Sequence, residues 1–108
     1  MPSFNDFMDT LKPQITQFAE TSLKNLSQAA VSDGQAFLAD TQEDLERWTK
    51  LLATGDLTEK DFTWLVASKK DSAEMLALKQ KGLAKVAVDQ FTSGLVDIIV
   101  STAIKTFL

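Results

Sequence analysis

The sequence predicts an all-α protein, a small bundle of three long helices. Apolar residues recur at helical spacing along almost the whole 108-residue chain, and only four glycines and two prolines interrupt them. β-branched residues concentrate only at 86–88 and 98–104, and both runs keep helical rather than alternating spacing. A chain of this length can bury about two-thirds of its unfolded surface in one core. We therefore expect a single helical domain over residues 1–108.

The first predicted helix covers residues 3–31. Ser3 with Asp6 three residues later is an N-terminal capping signal, and an apolar stripe follows at helical spacing. Pro13 either splits this helix or bends it; its position opposite the stripe favours a bend, because water can then satisfy the freed carbonyl. The stripe comprises Phe4, Phe7, Met8, Leu11, Ile15, Phe18, Ala19, Leu26 and Ala30.

The second predicted helix begins in the polar segment 31–35, with Ser32 as its cap, and runs to about Ala53. Gly55 ends it. The link to the next helix is so short that the two must form an antiparallel hairpin, over residues 35–81. The core-facing stripe of this helix comprises Phe37, Leu38, Thr41, Leu45, Trp48 and Leu52.

The third predicted helix starts at the Thr58 cap, with Asp61 at the third helical position, and extends to Leu108. It carries apolar side chains on two opposite faces, whereas a surface helix needs only one apolar stripe. Gly82 follows two lysines and either bends this helix or ends it. A break at Gly82 would give a bundle of four helices.

The second apolar face of this helix is the predicted functional surface. One stripe on the first helix cannot pack against two opposite faces, and monomers rarely tolerate a large exposed apolar patch. We therefore expect a homo-oligomer or a protein partner to cover it, in a non-enzymatic helical interaction or self-assembly module. On this hypothesis Val100→Glu would convert an oligomer to a monomer with its helices intact. The interaction surface comprises Trp64, Val96, Val100, Ala103, Ile104 and Phe107.

The alternative is a protein that acts at a membrane or lipid surface by inserting its C-terminal amphipathic helix, residues 95–108. Membrane-surface helices usually display a strongly cationic polar face, but this one offers Lys105 against Asp89 and Asp97. These charges also divide the apolar run, so no window reaches the roughly 20 apolar residues that a membrane-spanning helix needs. The interaction module is the favoured prediction.

The composition argues against catalysis and against nucleic-acid binding. The chain has no histidine and no cysteine, which removes most hydrolase, zinc and thiol mechanisms. Its densest carboxylate cluster, Glu43, Asp44 and Glu46, has basic residues one turn away and is typical of a solvated helix face. A net charge of −4 disfavours binding to phosphate backbones. We predict no enzyme activity, no catalytic or metal site, no cofactor and no nucleic-acid partner.

Charge is distributed unevenly along the chain. Residues 33–61 hold eight acids and three bases, a net −5, whereas residues 62–85 hold five lysines and two acids, a net +3. If these adjacent segments fold back on each other, opposite charges face across the hairpin. The first residues lack the basic and apolar regions of a secretory signal, which predicts a cytoplasmic protein.

Stability should not depend on a metal ion. Without histidine or cysteine only oxygen ligands remain, and no segment spaces them as a calcium loop does. We expect the thermal unfolding midpoint to be the same with and without excess EDTA. A lower midpoint with EDTA would contradict this prediction.

Overall fold

Helices account for most of the chain in a computed structural model, which describes residues 3–108. The protein is 87% helical, and the described residues contain no strand. The helices are α1 (Phe4–Ser22), α2 (Ser27–Thr54), α3 (Glu59–Ser68), α4 (Leu76–Gln80) and α5 (Lys85–Phe107). Two 3₁₀ turns, Lys24–Leu26 and Lys69–Ser72, lie between them. The all-α prediction is confirmed.

The long helix α2 has antiparallel neighbours on two sides. Gln35 on α2 donates a hydrogen bond to the Thr16 hydroxyl on α1 (3.0 Å). On the other side, Lys69 just after α3 forms an ion pair with Asp44 of α2. Lys69 and Asp44 lie equally far from the α2–α3 turn along the chain, as expected for two helices folded back on each other. The antiparallel hairpin predicted over residues 35–81 is confirmed for α2 and α3, but its second helix ends at Ser68 rather than continuing to 81. Opposite charges do meet across it.

The last helix, α5, completes an up-down-up-down bundle. It runs antiparallel to α1: Phe107 packs against Phe7 at one end, with ring centroids 5.5 Å apart, and Phe91 stacks on Phe18 toward the other, at 5.4 Å. α5 also contacts α2 and α3. Asp97, Ser101 and Lys105 lie exposed on its outer side, so the core lies between α5 and the other helices.

The first chain reversal was predicted in the wrong place. α1 ends at Ser22, and a turn at residues 23–26 leads directly into α2, so the predicted boundary at 31–35 lies inside a helix. No glycine or proline marks the actual turn. It is held instead by packing, because Leu23 and Leu26 are partly buried against the core.

The polar residues at 31–35 resemble a turn signal in the sequence, but in the structure two of them contact other helices. A Cβ atom on Gly34 would lie 3.0 Å from a methyl group of Ile15, so the glycine allows α1 to approach α2 closely. Asp33 is buried and binds the backbone of α4 rather than capping its own helix. α1 passes through Pro13 without interruption, as the favoured alternative predicted.

The predicted third helix is divided at two places. Gly82 has a left-handed backbone (φ 81°) and separates α4 from α5, which is one of the two predicted alternatives. A second break, at residues 69–75, was not predicted. It includes Met75, a buried residue whose φ of 49° is unusual for a side chain other than glycine.

Thr58 caps α3 as predicted, because its hydroxyl accepts a hydrogen bond from the amide of Asp61 (3.0 Å). We expect Thr58→Ala to lower the free energy of unfolding by about 0.5–2 kcal/mol. Thr63→Ala is the matched control: Thr63 is also exposed on α3 but bonds only the Glu59 carbonyl within the helix, so its loss should be nearly neutral. Equal denaturant midpoints for the two variants would refute the role of the cap.

Candidate interaction surface

The predicted α5 face is not a free surface in this structure. Val96, Val100 and Ala103 are 4%, 9% and 0% exposed, and Ile104 and Phe107 are partly buried. Thr102, between them, donates a hydrogen bond to Gln14 of α1 (3.1 Å). The chain itself covers the face that was expected to await a partner.

The expectation of an uncovered face rested on the first helix as the only available cover. In the structure α5 contacts α1, α2 and α3, and these helices together cover its buried residues. The buried residues spread over about half of the circumference of α5, which is more than one neighbouring helix can cover. Val100 is therefore a core residue, and a charge placed there would enter the interior.

Trp64 is the member of the predicted surface that remains open. Its side chain is 69% exposed. Phe62 and Val66, two positions away on either side and thus on the opposite face of α3, are 0% and 1% exposed. Trp64 therefore projects directly away from the core, with exposed Lys60 one turn before it and exposed Ser68 one turn after it.

Charge changes sign along the outer face of α3. Exposed Glu59 and Asp61 lie at its N-terminal end, and Lys69 and Lys70 follow its C-terminal end. Within residues 3–108 neither of the two acids forms an ion pair. Lys70 reaches only the Ser93 hydroxyl, at 3.5 Å. An exposed tryptophan thus stands between an acidic and a basic end.

The other tryptophan is fixed in the hairpin. Trp48 is partly buried, and the Lys69 ammonium lies 5.7 Å from its ring centroid, a cation–π distance. The same ammonium pairs with Asp44, which also binds Arg47 at 2.6 Å. The Lys69 hydrogen bond lowers the pKa of Asp44 from its ordinary value, against an opposite effect of burial. The Asp44 carboxylate is therefore charged at neutral pH and links α2 to the residue that follows α3.

Sequence reasoning missed Asp33, a buried polar residue that joins two helices. The Asp33 carboxylate is 7% exposed and accepts hydrogen bonds from the amides of Ala77 (3.0 Å) and Leu78 (2.7 Å). Asp33 thus caps α4 from a different helix, 44 positions earlier in the chain. Beside it lies a cavity of about 140 Å³ between α2 and residues 69–76. No local pattern links an acid to a helix so distant in sequence.

α5 is long and apolar enough to span a membrane by length and composition alone. Its mean hydropathy over an 18-residue window is 1.2, but half of that window is buried inside the bundle. A core helix passes the same test. The hydropathy of α5 therefore does not separate a membrane role from a packing role.

The structure changes the expected effect of Val100→Glu. Burying an unpaired carboxylate should lower the free energy of unfolding by roughly 3 kcal/mol or more, instead of separating subunits. Ser101→Glu, at the adjacent exposed position, is the control and should be nearly neutral. Circular dichroism during denaturant unfolding measures both. A stable, helical Val100→Glu variant of lower mass would restore the original hypothesis.

No protein-family model, curated protein or solved structure matches this chain. Its function is therefore argued from its own residues.

Proposed function

We propose that the protein is a non-enzymatic helical self-assembly module, in which the outer face of α3 binds the same face of a second copy. The observation that carries this proposal is the exposure of Trp64, 69%, at the centre of that face. Tryptophan is enriched among the residues that dominate binding energy at protein interfaces, and its side chain buries a large area when covered. Trp64 would be the anchor of the contact.

The charge pattern favours a second copy as the partner. In an antiparallel, two-fold pairing about Trp64, the N-terminal end of each α3 faces the C-terminal end of the other. Glu59 lies five residues before Trp64 and Lys70 six after it, about 7.5 and 9 Å along the helix axis. At about 100° per residue both side chains lie on the same flank of α3, roughly 120–140° around the helix from Trp64. In the pair they are therefore at similar distances from the two-fold axis and on the same flank, where they attract at the edge of the contact rather than at its centre.

The contact should be weak and reversible. α3 has ten residues, so a single pair of such helices belongs to the small interfaces of transient complexes. Exposed charge pairs contribute about 0–1 kcal/mol each. Packing of Trp64 would thus supply most of the affinity, while the charges set the orientation.

A membrane-active protein is the second candidate, because α5 has the necessary length and hydropathy. Asp97 lies near the middle of α5, where an acidic side chain costs about 2.5–3.5 kcal/mol in a bilayer. Leaving the bundle would also forfeit the packing of Val96, Val100 and Ala103. These costs favour self-assembly. Flotation of the wild-type monomer with anionic vesicles would support the membrane candidate instead.

Trp64→Ala should abolish self-association while leaving the fold intact, because the side chain makes little contact with its own core. Sedimentation velocity from micromolar to millimolar concentration measures this. The matched control is Val86→Ala, which shortens another apolar side chain of 68% exposure and should associate like the wild type. A wild-type chain that stays monomeric over this range would overturn the proposal.

The orientation of the two copies has its own test. Glu59→Lys should weaken association modestly, because the new lysine then lies on the same flank of the pair as Lys70 of the other copy. Adding Lys70→Glu should restore association by reversing the same pair. If the double variant associates no better than Glu59→Lys alone, the antiparallel arrangement is wrong.

A further inference from the structure

Residues 69–84, here called the hinge, break a sequence that has few local reasons to break. The hinge contains no proline and one glycine, and most of its residues are good helix formers such as alanine, leucine, lysine and glutamate. α4 begins after Met75 and α5 begins after Ala84. Neither of these N-cap residues donates or accepts a side-chain capping hydrogen bond. The local sequence is therefore compatible with a continuous helix.

Two residues in the hinge have left-handed backbones. Met75 has φ 49° and ψ 47°, which is unfavourable for any residue with a Cβ atom. Gly82 has φ 81°, where only glycine is comfortable. A helical hinge would remove the strain at Met75.

The hinge is held in its broken form from outside. The Asp33 carboxylate on α2 binds the amides of Ala77 and Leu78, which are orphan donors at the start of α4. Met75 and Leu78 are 4% and 0% exposed, so apolar burial also holds this segment. Asp33 adds the polar contact that keeps residues 76–80 against α2.

The α2–α3 turn, unlike the hinge, is determined by its own residues. Gly55 (φ 84°) ends α2, and the Thr58 hydroxyl caps α3 within the same few residues. Both stop signals are local, so this turn should form whatever surrounds it. The hinge depends on tertiary contacts, whereas the α2–α3 turn does not.

The residues of α1 that contact α5 fit specific residues of this helix. A Cβ atom on Gly94 would collide with the tip of the Phe18 ring, so this glycine is needed for that ring to reach α5. The same ring stacks on Phe91 with an interplanar angle of 9°. Farther along, Thr102 bonds Gln14. Only another copy of the chain offers the same α1 and α2 residues to a released α5.

We propose that two copies of the chain exchange α5 through the hinge. Residues 69–84 become helical, α3 through α5 join into one helix, and α5 of each copy occupies the site between α1 and α2 of the other. Every contact of α5 described above is recovered between chains, and the strain at Met75 is relieved. The Asp33 contacts and the burial of Met75 and Leu78 against α2 are given up. This exchange does not require the α3 face, because the joined helix reaches the second copy directly. A bilayer is the less suitable destination, since it offers no partner for Thr102 or Asp97.

Gly82→Ala is the primary test, made in a Trp64→Ala background so that the α3 face cannot contribute. The alanine disfavours the left-handed turn and favours a continuous helix, so each hinge should shift about tenfold toward the joined form. Because a dimer contains two hinges, its dissociation constant should fall about a hundredfold. Asp33→Asn, which weakens the contact with α4, should act in the same direction.

The control is Gly55→Ala, which imposes the same left-handed strain at a turn with local stop signals. It should lower stability without forming dimers. All variants are refolded at high concentration, and their mass is measured after dilution. Exchanged dimers should persist on dilution, and tagged and untagged chains should form mixed dimers only when refolded together.

Three results would overturn the exchange: monomers from both Gly82→Ala and Asp33→Asn, dimers that swap subunits rapidly after folding, or equal dimer formation by Gly55→Ala. None of these results tests self-association through the α3 face, because that proposal is tested in chains whose hinge is unchanged. Conversely, if Trp64→Ala does not alter wild-type association, the α3-face proposal is wrong but the exchange of α5 is not affected. Flotation of monomeric Gly82→Ala with vesicles would assign the released helix to lipid and also overturn the exchange.

Discussion

The burial of both apolar faces of α5 is the constraint on which the rest of the structure depends. The buried residues of α5 spread over about half of its circumference, so more than one helix must cover them, while Asp97, Ser101 and Lys105 face the solvent. α1 covers part of this surface through its phenylalanines, and the hairpin of α2 and α3 covers the rest. The chain can reach this arrangement only if it reverses between α3 and α5. The hinge, its left-handed residues and the Asp33 cap all follow from that requirement.

The packing of the interior shows which apolar residues already have a structural role and which do not. The apolar residues of α5 are used within the chain, so they no longer argue for a partner. Trp64 remains unexplained by packing, because it points away from a helix whose opposite side is fully buried. Its position between acidic and basic ends gives the surface a direction. That combination, rather than the hydrophobicity of α5, is what supports the proposed self-assembly.

Sequence reasoning succeeded where the determining interaction is local. The Ser3 and Thr58 caps and the Gly55 stop were read correctly, because each depends on residues within one helical turn. It failed where distant residues decide. Asp33 and Gly34 resemble a turn but serve α4 and α1, and the real turn at 23–26 carries no turn residue stronger than Asn25. The exposed position of Trp64 also depended on knowing where the third helix breaks.

The position of α5 in the chain has a consequence for how the protein forms during synthesis. α1, α2 and α3 are adjacent in sequence, so their contacts close short loops, whereas Thr102 meets Gln14 across 88 positions. On a ribosome the first three helices emerge before the helix that fills the space between them. For that interval the apolar walls lined by Phe7 and Phe18 stand open to water. On a polysome, neighbouring chains would hold such open sites close to one another at a high local concentration.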